Sequence, residues 1–270
     1  MTAPLLAALA ALVIWWVSTG VILVAVRLAE GRGARAGRRA TLAALPLMGL
    51  GAWGYLASLD GSGPGAAYAT FGSVLLIWGW IELAFLTGTI TGPVTSPLPP
   101  GKPEAERFIR AWGTVAYHEM MLTAALIFVL LTGWGAANTF GLWSFVILYF
   151  ARISAKLNLY LGVPHANTEF LPRQLAHLAS HFRVRRMNAL FPVSVTALTF
   201  ALGCWLERLV ATTAPAEQTG YALLAALTAL AILEHWLLVL PLPDAKLWRW
   251  MLPTPAPGKG PKTQETRHGV

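Results

Sequence analysis

The sequence predicts an all-α polytopic membrane protein, with about seven transmembrane helices and one amphipathic helix outside the bilayer. Three observations predict it. Seven apolar stretches recur along the chain, at 5–26, 41–59, 67–90, 112–132, 138–160, 190–211 and 219–241. Most are near the ~20 residues that an α-helix needs to cross ~30 Å of hydrocarbon. The composition is 56% apolar and 12% charged, where a soluble domain carries about 25% charged residues. Finally, nineteen of the twenty Lys and Arg residues fall at one set of helix ends.

That charge pattern orients the chain. Arg27, Arg32, Arg35, Arg38 and Arg39 follow span one, and Lys102, Arg107 and Arg110 precede span four. Arg152, Lys156, Arg173, Arg183, Arg185 and Arg186 lie between the middle of span five and the start of span six, and Lys246, Arg249, Lys259, Lys262 and Arg267 follow span seven. The opposite ends hold only Arg208, beside Asp60, Glu207 and Glu217. Positive loops stay in the cytoplasm, so the N-terminus is expected in the periplasm and the C-terminus in the cytoplasm of a bacterial inner membrane. Span one lacks a basic leader and is too long for a cleavable signal, so it is expected to remain as an anchor. The net charge of +8 is explained by this loop bias and by attraction to anionic lipid, and no nucleic-acid partner is implied. The single cysteine, Cys204, rules out a disulfide framework, a zinc finger or a Cys-x-x-Cys-His haem attachment.

Between spans two and three, residues 60–66 are expected to form a tight turn rich in glycine. The segment 91–103 carries five prolines and is expected to be extended and exposed. No internal repeat is found, unlike transporters built from duplicated halves. In 162–189, Pro172 can start a helix, and Leu171, Leu175, Leu178 and Phe182 recur at helical spacing before three arginines. An amphipathic helix on the cytoplasmic surface is expected there, with His177 and His181 on one face. Residues 1–252 are expected to form the transmembrane domain, and 253–270 a disordered tail rich in Pro, Gly, Lys and Thr. Trp112, Trp248 and Trp250 mark the cytoplasmic border, and Trp134 and Trp143 the external one. Gly49, Gly51, Gly54, Gly72 and Gly79 are expected to allow close helix approach.

The functional candidates are ionisable residues inside the spans. Each costs about 2.5–3.5 kcal/mol on insertion scales unless a partner offsets it. They are Glu82 in span three, His118 and Glu119 in span four, Arg152 and Lys156 in span five, and Glu234 and His235 in span seven. With the orientation above, all fall in the cytoplasmic half, with Asn158, His165 and Glu169 just beyond. They are expected to meet around a polar cavity lined by Glu82, Glu119, Glu234, His118 and His235, with Arg152 and Lys156 balancing the carboxylates. Three readings stay open: an ion-pair network that fixes packing, a divalent-metal or tetrapyrrole site, and a proton or ion path. Against a di-iron centre, no Glu-x-x-His pair occurs within the spans, the one such spacing being Glu265–His268 in the tail. The adjacent pairs His118–Glu119 and Glu234–His235 point about 100° apart on a helix. Against an ion path, the outer half offers no polar continuation. Gly49, Gly51 and Gly54 have Gly-x-Gly-x-x-Gly spacing, but they lie within apolar span two with no strand before them, so they make no dinucleotide fingerprint. No P-loop or Gly-x-Ser-x-Gly occurs, and Ser194 and Thr196 are expected to bond back to their own helix rather than act as nucleophiles.

The run LNLYLGVPHANTEFLPRQLAHLASHFRVRRMNALFPVSVT, from Leu157 to Thr196, resembles the PuhE family of photosynthetic complex assembly proteins. WWVSTGVIL from Trp15 and the Tyr117–Glu119 triplet fit the same pattern, and the resemblance covers nearly the whole chain. It implies an inner-membrane protein linked to production of the reaction centre and its antenna, and to bacteriochlorophyll supply. Photosynthetic complex subunits or other assembly factors would be its partners. It implies no catalytic residues and no known ligand. The expected function is therefore a non-catalytic assembly factor handling bacteriochlorophyll or a pigment-binding subunit. The alternative is a membrane metalloenzyme acting on a tetrapyrrole or lipid.

Overall fold

A computed structural model describes residues 2–166, 168 and 171–240. These form eight α-helices: α1 (Ala3–Glu30), α2 (Ala34–Ala43), α3 (Leu45–Ala57), α4 (Pro64–Leu86), α5 (Glu104–Gly133), α6 (Phe140–Leu161), α7 (Leu190–Ala211) and α8 (Pro215–Leu237). Seven helical spans, with α2 and α3 counted together over Arg35–Ala57, are long and apolar enough to cross a membrane. Leu131, Phe200 and Val210 are each more than 70% exposed. Apolar side chains this bare suit lipid as the surrounding medium. The predicted tail, Trp248 and Trp250 lie outside the described residues.

The second span differs from its hydropathy. Its helix starts at Ala34 rather than 41, so the arginine-bearing stretch is itself helical. A break at Ala44 follows from Pro46, whose ring removes a backbone donor in the first turn of α3. Helix α5 begins at Glu104, eight residues before the apolar stretch expected from 112, because its first two turns are polar. The other boundaries hold within a few residues, and α7 begins and ends where the pattern places it.

Helices α4 and α8 are central. Phe71 and Leu75 of α4 pack with Leu223 and Leu227 of α8, and with Ala7 and Ala11 of α1. Ala7 and Ala11 are fully buried, one turn apart, so α1 meets α8 through small side chains. A second cluster joins Tyr55, Val74, Ile81, Leu122 and Phe145. Of the glycines expected at helix contacts, Gly51 and Gly54 face α4. A Cβ on Gly51 would sit 2.7 Å from the Ser73 carbonyl, and one on Gly54 2.5 Å from the Ser73 hydroxyl. A Cβ on Gly49 or Gly72 would meet nothing within 4 Å, and one on Gly79 only Ile22 at 3.4 Å. Gly51→Val should therefore cost about 1–3 kcal/mol by overpacking. Thermal unfolding in detergent checks it, with Gly49→Val expected to be near neutral.

The proline-rich connection is only partly exposed. Val94 N–H donates to the Gly113 carbonyl at 3.1 Å, and His118 N–H donates to the Thr91 carbonyl at 3.0 Å. Residues 91–94 thus lie along α5, because Gly92 and Gly113 have no side chains to hold them apart.

The 162–189 connection corrects the expected surface α-helix. Arg173–His181 is a 3-10 helix, and its Leu175 and Leu178 pack on Phe85, Leu86 and Val115. The apolar stripe is covered by protein at the ends of α4 and α5. The Gln174 side-chain amide donates to the Leu86 carbonyl at 3.2 Å, and Arg173 N–H donates to Glu30 Oε1 at 2.7 Å. At three residues per turn, His177 and His181 point about 120° apart rather than sharing a face.

Candidate functional site

Helix α6 carries two cations one turn apart, between two acid-bearing helices. Arg152 Nη2 lies 2.6 Å from Glu82 Oε2 on α4. Lys156 Nζ pairs with Glu119 Oε1 on α5, and sits 5.3 Å over the Phe85 ring. In both pairs the acid is deeper: the Glu82 and Glu119 side chains are 10% and 11% exposed, those of Arg152 and Lys156 35% and 22%. At low dielectric such contacts are worth much more than in water, and each partner hides the other's desolvation cost.

The adjacent histidines turn away, as the ~100° step between helical neighbours requires. His118 is fully buried. Its ring lies against Phe85 with centroids 4.4 Å apart. Its Nε2 is 3.9 Å from Glu82 Oε1, beyond hydrogen-bond reach. His235 is also buried. Its Nδ1 is 2.8 Å from the Ala231 carbonyl. A carbonyl only accepts, so Nδ1 carries the proton and Nε2 accepts from the Ser154 hydroxyl at 2.9 Å. Ser154→Ala leaves that nitrogen without its hydroxyl donor and should cost about 1–3 kcal/mol, checked by unfolding of the purified chain.

Asn158 is fully buried and joins α6 to α7. Its Nδ2 donates to the Ser154 carbonyl at 3.0 Å and to Ser194 Oγ at 3.1 Å. Ser194 in turn bonds back to the Leu190 carbonyl at 2.9 Å.

A cavity of about 880 Å³ opens beside these pairs, walled by α5, α6, the end of α8 and the 3-10 helix. Its charged groups are Glu119, Arg152, Lys156 and Glu234, and its imidazoles are His165 and His181. Apolar and aromatic walls come from Phe85, Phe108, Trp112, Tyr149 and Tyr160. Along α5 the lining runs from Phe108 through Met120 to Ile127, roughly 28 Å at 1.5 Å per residue. Thr123 and Tyr149 hydroxyls meet at 3.0 Å within this wall.

The expected lining is thus corrected. Glu119 and Glu234 face the cavity, with both cations. Glu82, His118 and His235 lie behind it. His165 and His181, expected only at the edge, do line it. His165 is placed by its N–H to the Leu238 carbonyl at 3.1 Å. Burial holds the His181 ring below the usual imidazole range, opposed by the Ser96 backbone, and burial does the same to His177. Glu169 lies outside the described residues. Among the described residues no three His, Cys, Asp or Glu side chains gather in a metal-holding group. The aromatic lining does not stand out in the sequence, because a tryptophan or tyrosine near a helix end reads equally as an interfacial anchor.

No solved structure matches this chain. It is 50% identical over 274 residues to a protein of Rhodobacter capsulatus described as "Uncharacterized 30.4 kDa protein in puhA 5'region", covering 97% of this chain and 99% of that one. Residues 1–259 match the model of a family described as "Protein of unknown function (DUF3623)". With nearly its full length matched on both counts, the chain belongs to the DUF3623 family.

Proposed function

We propose that this protein is a non-catalytic membrane assembly factor for the photosynthetic reaction centre and antenna, and that its cavity holds bacteriochlorophyll while the pigment or its protein is delivered. The basic end of the bundle faces the cytoplasm in this reading, with the N-terminus in the periplasm. The observation that carries it is the cavity's form: a long apolar and aromatic trough with charged side chains and two imidazoles at one part of its wall. At about 880 Å³ it is near the upper end of small-molecule sites, which span about 300–1,000 Å³. A guest with a large flat apolar body and polar substituents suits those walls. The resemblance to the PuhE family, and a relative whose name places it in the 5′ region of puhA, support the photosynthetic setting.

The residues present fit a tetrapyrrole in a particular way. His118 and His235 are buried behind the wall, and both His235 nitrogens are engaged. His165 is the lining imidazole that could meet a central magnesium, whereas both ring nitrogens of His181 are buried away from the cavity surface. The pigment would supply only light absorption and its own affinity for apo-subunits. The chain would supply the walls, the charged contacts of Arg152 and Lys156, and exclusion of water.

The test is purification in mild detergent from photosynthetically growing cells, with an absorption spectrum, metal analysis and identification of co-purifying proteins. Bound bacteriochlorophyll, together with reaction-centre or antenna subunits, is the expected result. Near-stoichiometric iron or zinc without pigment, lost in Glu119→Ala, would replace this reading with the metalloenzyme.

A further inference from the structure

We infer that the exposed face of α2 is a binding site for the headgroup of an anionic phospholipid, separate from the cavity. Arg35, Arg38, Arg39 and Leu42 follow i, i+3, i+4 and i+7 spacing, which places them on one face of the helix. They bound a cleft of about 290 Å³. All four are exposed. Among the described residues none of the three arginines has an ion-pair or hydrogen-bond partner in the protein, so three positive charges converge without an acid to balance them.

The opposite face explains why this arrangement is fixed. Gly37 lies so close to α4 that a Cβ would fall 2.9 Å from the Thr87 carbonyl. Thr41 is buried, and its hydroxyl meets those of Thr87 at 3.0 Å and Thr89 at 3.2 Å. Trp80 Nε1–H donates to the Thr41 carbonyl at 2.9 Å. Helix α2 is therefore clamped by its back, so its backbone already presents the three arginines outward and only their side chains remain to be ordered.

The apolar surface next to the arginines selects lipid over other anions. Leu42 is 59% exposed, Leu45 41% and Leu47 51%, and the last two begin the apolar helix α3. A guanidinium cluster thus passes into an exposed apolar surface within about 9 Å of helix rise. That is the outline of a phosphodiester with acyl chains attached. Guanidinium forks suit phosphate oxygens, and each arginine near an anionic surface contributes about fivefold in affinity.

The test uses the purified, delipidated full chain in uncharged detergent, titrated with phosphatidylglycerol or phosphatidylcholine and read by native mass spectrometry. One phosphatidylglycerol should be retained, with phosphatidylcholine much weaker. Arg35→Gln/Arg38→Gln should weaken it roughly 30-fold, and Arg208→Gln at the other end of the bundle should not change it. Should the double variant not accumulate, Arg38→Gln alone keeps four arginines in this region and should show about a fivefold loss. Equal binding of the two lipids, or unchanged binding in either α2 variant, overturns the inference. So does glycerol phosphate binding as tightly as the whole lipid, which would assign the site to a soluble phosphate compound. None of these outcomes depends on whether the cavity holds pigment.

Discussion

Glu82→Leu should lower the stability of the folded protein by about 3 kcal/mol, because it leaves the Arg152 guanidinium beside an apolar side chain inside the bundle. The pair is close, 2.6 Å, and its carboxylate is only 10% exposed. Arg152 keeps 35% of its side chain exposed, so part of its charge can find other solvation, which places the cost at the lower end of the range for broken buried pairs. Replacing both partners, Glu82→Leu with Arg152→Leu, removes the uncompensated charge and should recover most of the loss. Unfolding in detergent and the yield of folded protein measure both. A single variant with wild-type stability and failed complex assembly would show that Glu82 serves a ligand rather than the packing of α4 against α6.

Filling the cavity should separate binding from folding. Ala124 lines the trough on α5 and is exposed, so a larger side chain there displaces no packed neighbour. Ala124→Phe would place a ring toward the Ile127 end of a space whose α5 wall runs from Phe108 to Ile127. Bound pigment per protein should fall at least about tenfold, since each 1.4 kcal/mol of lost contact is a factor of ten, while folded yield stays near wild type. Absorption of the purified protein, normalised to its concentration, reads this directly. Undiminished pigment in a stable Ala124→Phe protein would place the pigment elsewhere and end the cavity's claim to it.

Glycine contacts show where the sequence stops being informative. Gly49, Gly51 and Gly54 are alike in the chain, yet only the last two face Ser73. The 3-10 helix shows it again: the same leucine spacing that suggests a lipid-lying α-helix is satisfied by three residues per turn on Phe85 and Val115. The break at Ala44 was readable in principle from Pro46, but the hydropathy of the span runs through it.

By itself the sequence determined that the chain has seven membrane-crossing segments and that acids, cations and imidazoles sit near one set of their ends. Length and hydropathy decide the first, since backbone groups in hydrocarbon must be satisfied within helices. Position along each span decides the second. Only the tertiary structure decided that Arg152 takes Glu82 and Lys156 takes Glu119, that His118 and His235 turn from the cavity, and that His165 and His181 form part of its wall. Depth is a one-dimensional property that a sequence carries, whereas partner choice depends on the rotation of each helix about its axis. That rotation is set by packing between helices far apart in the chain.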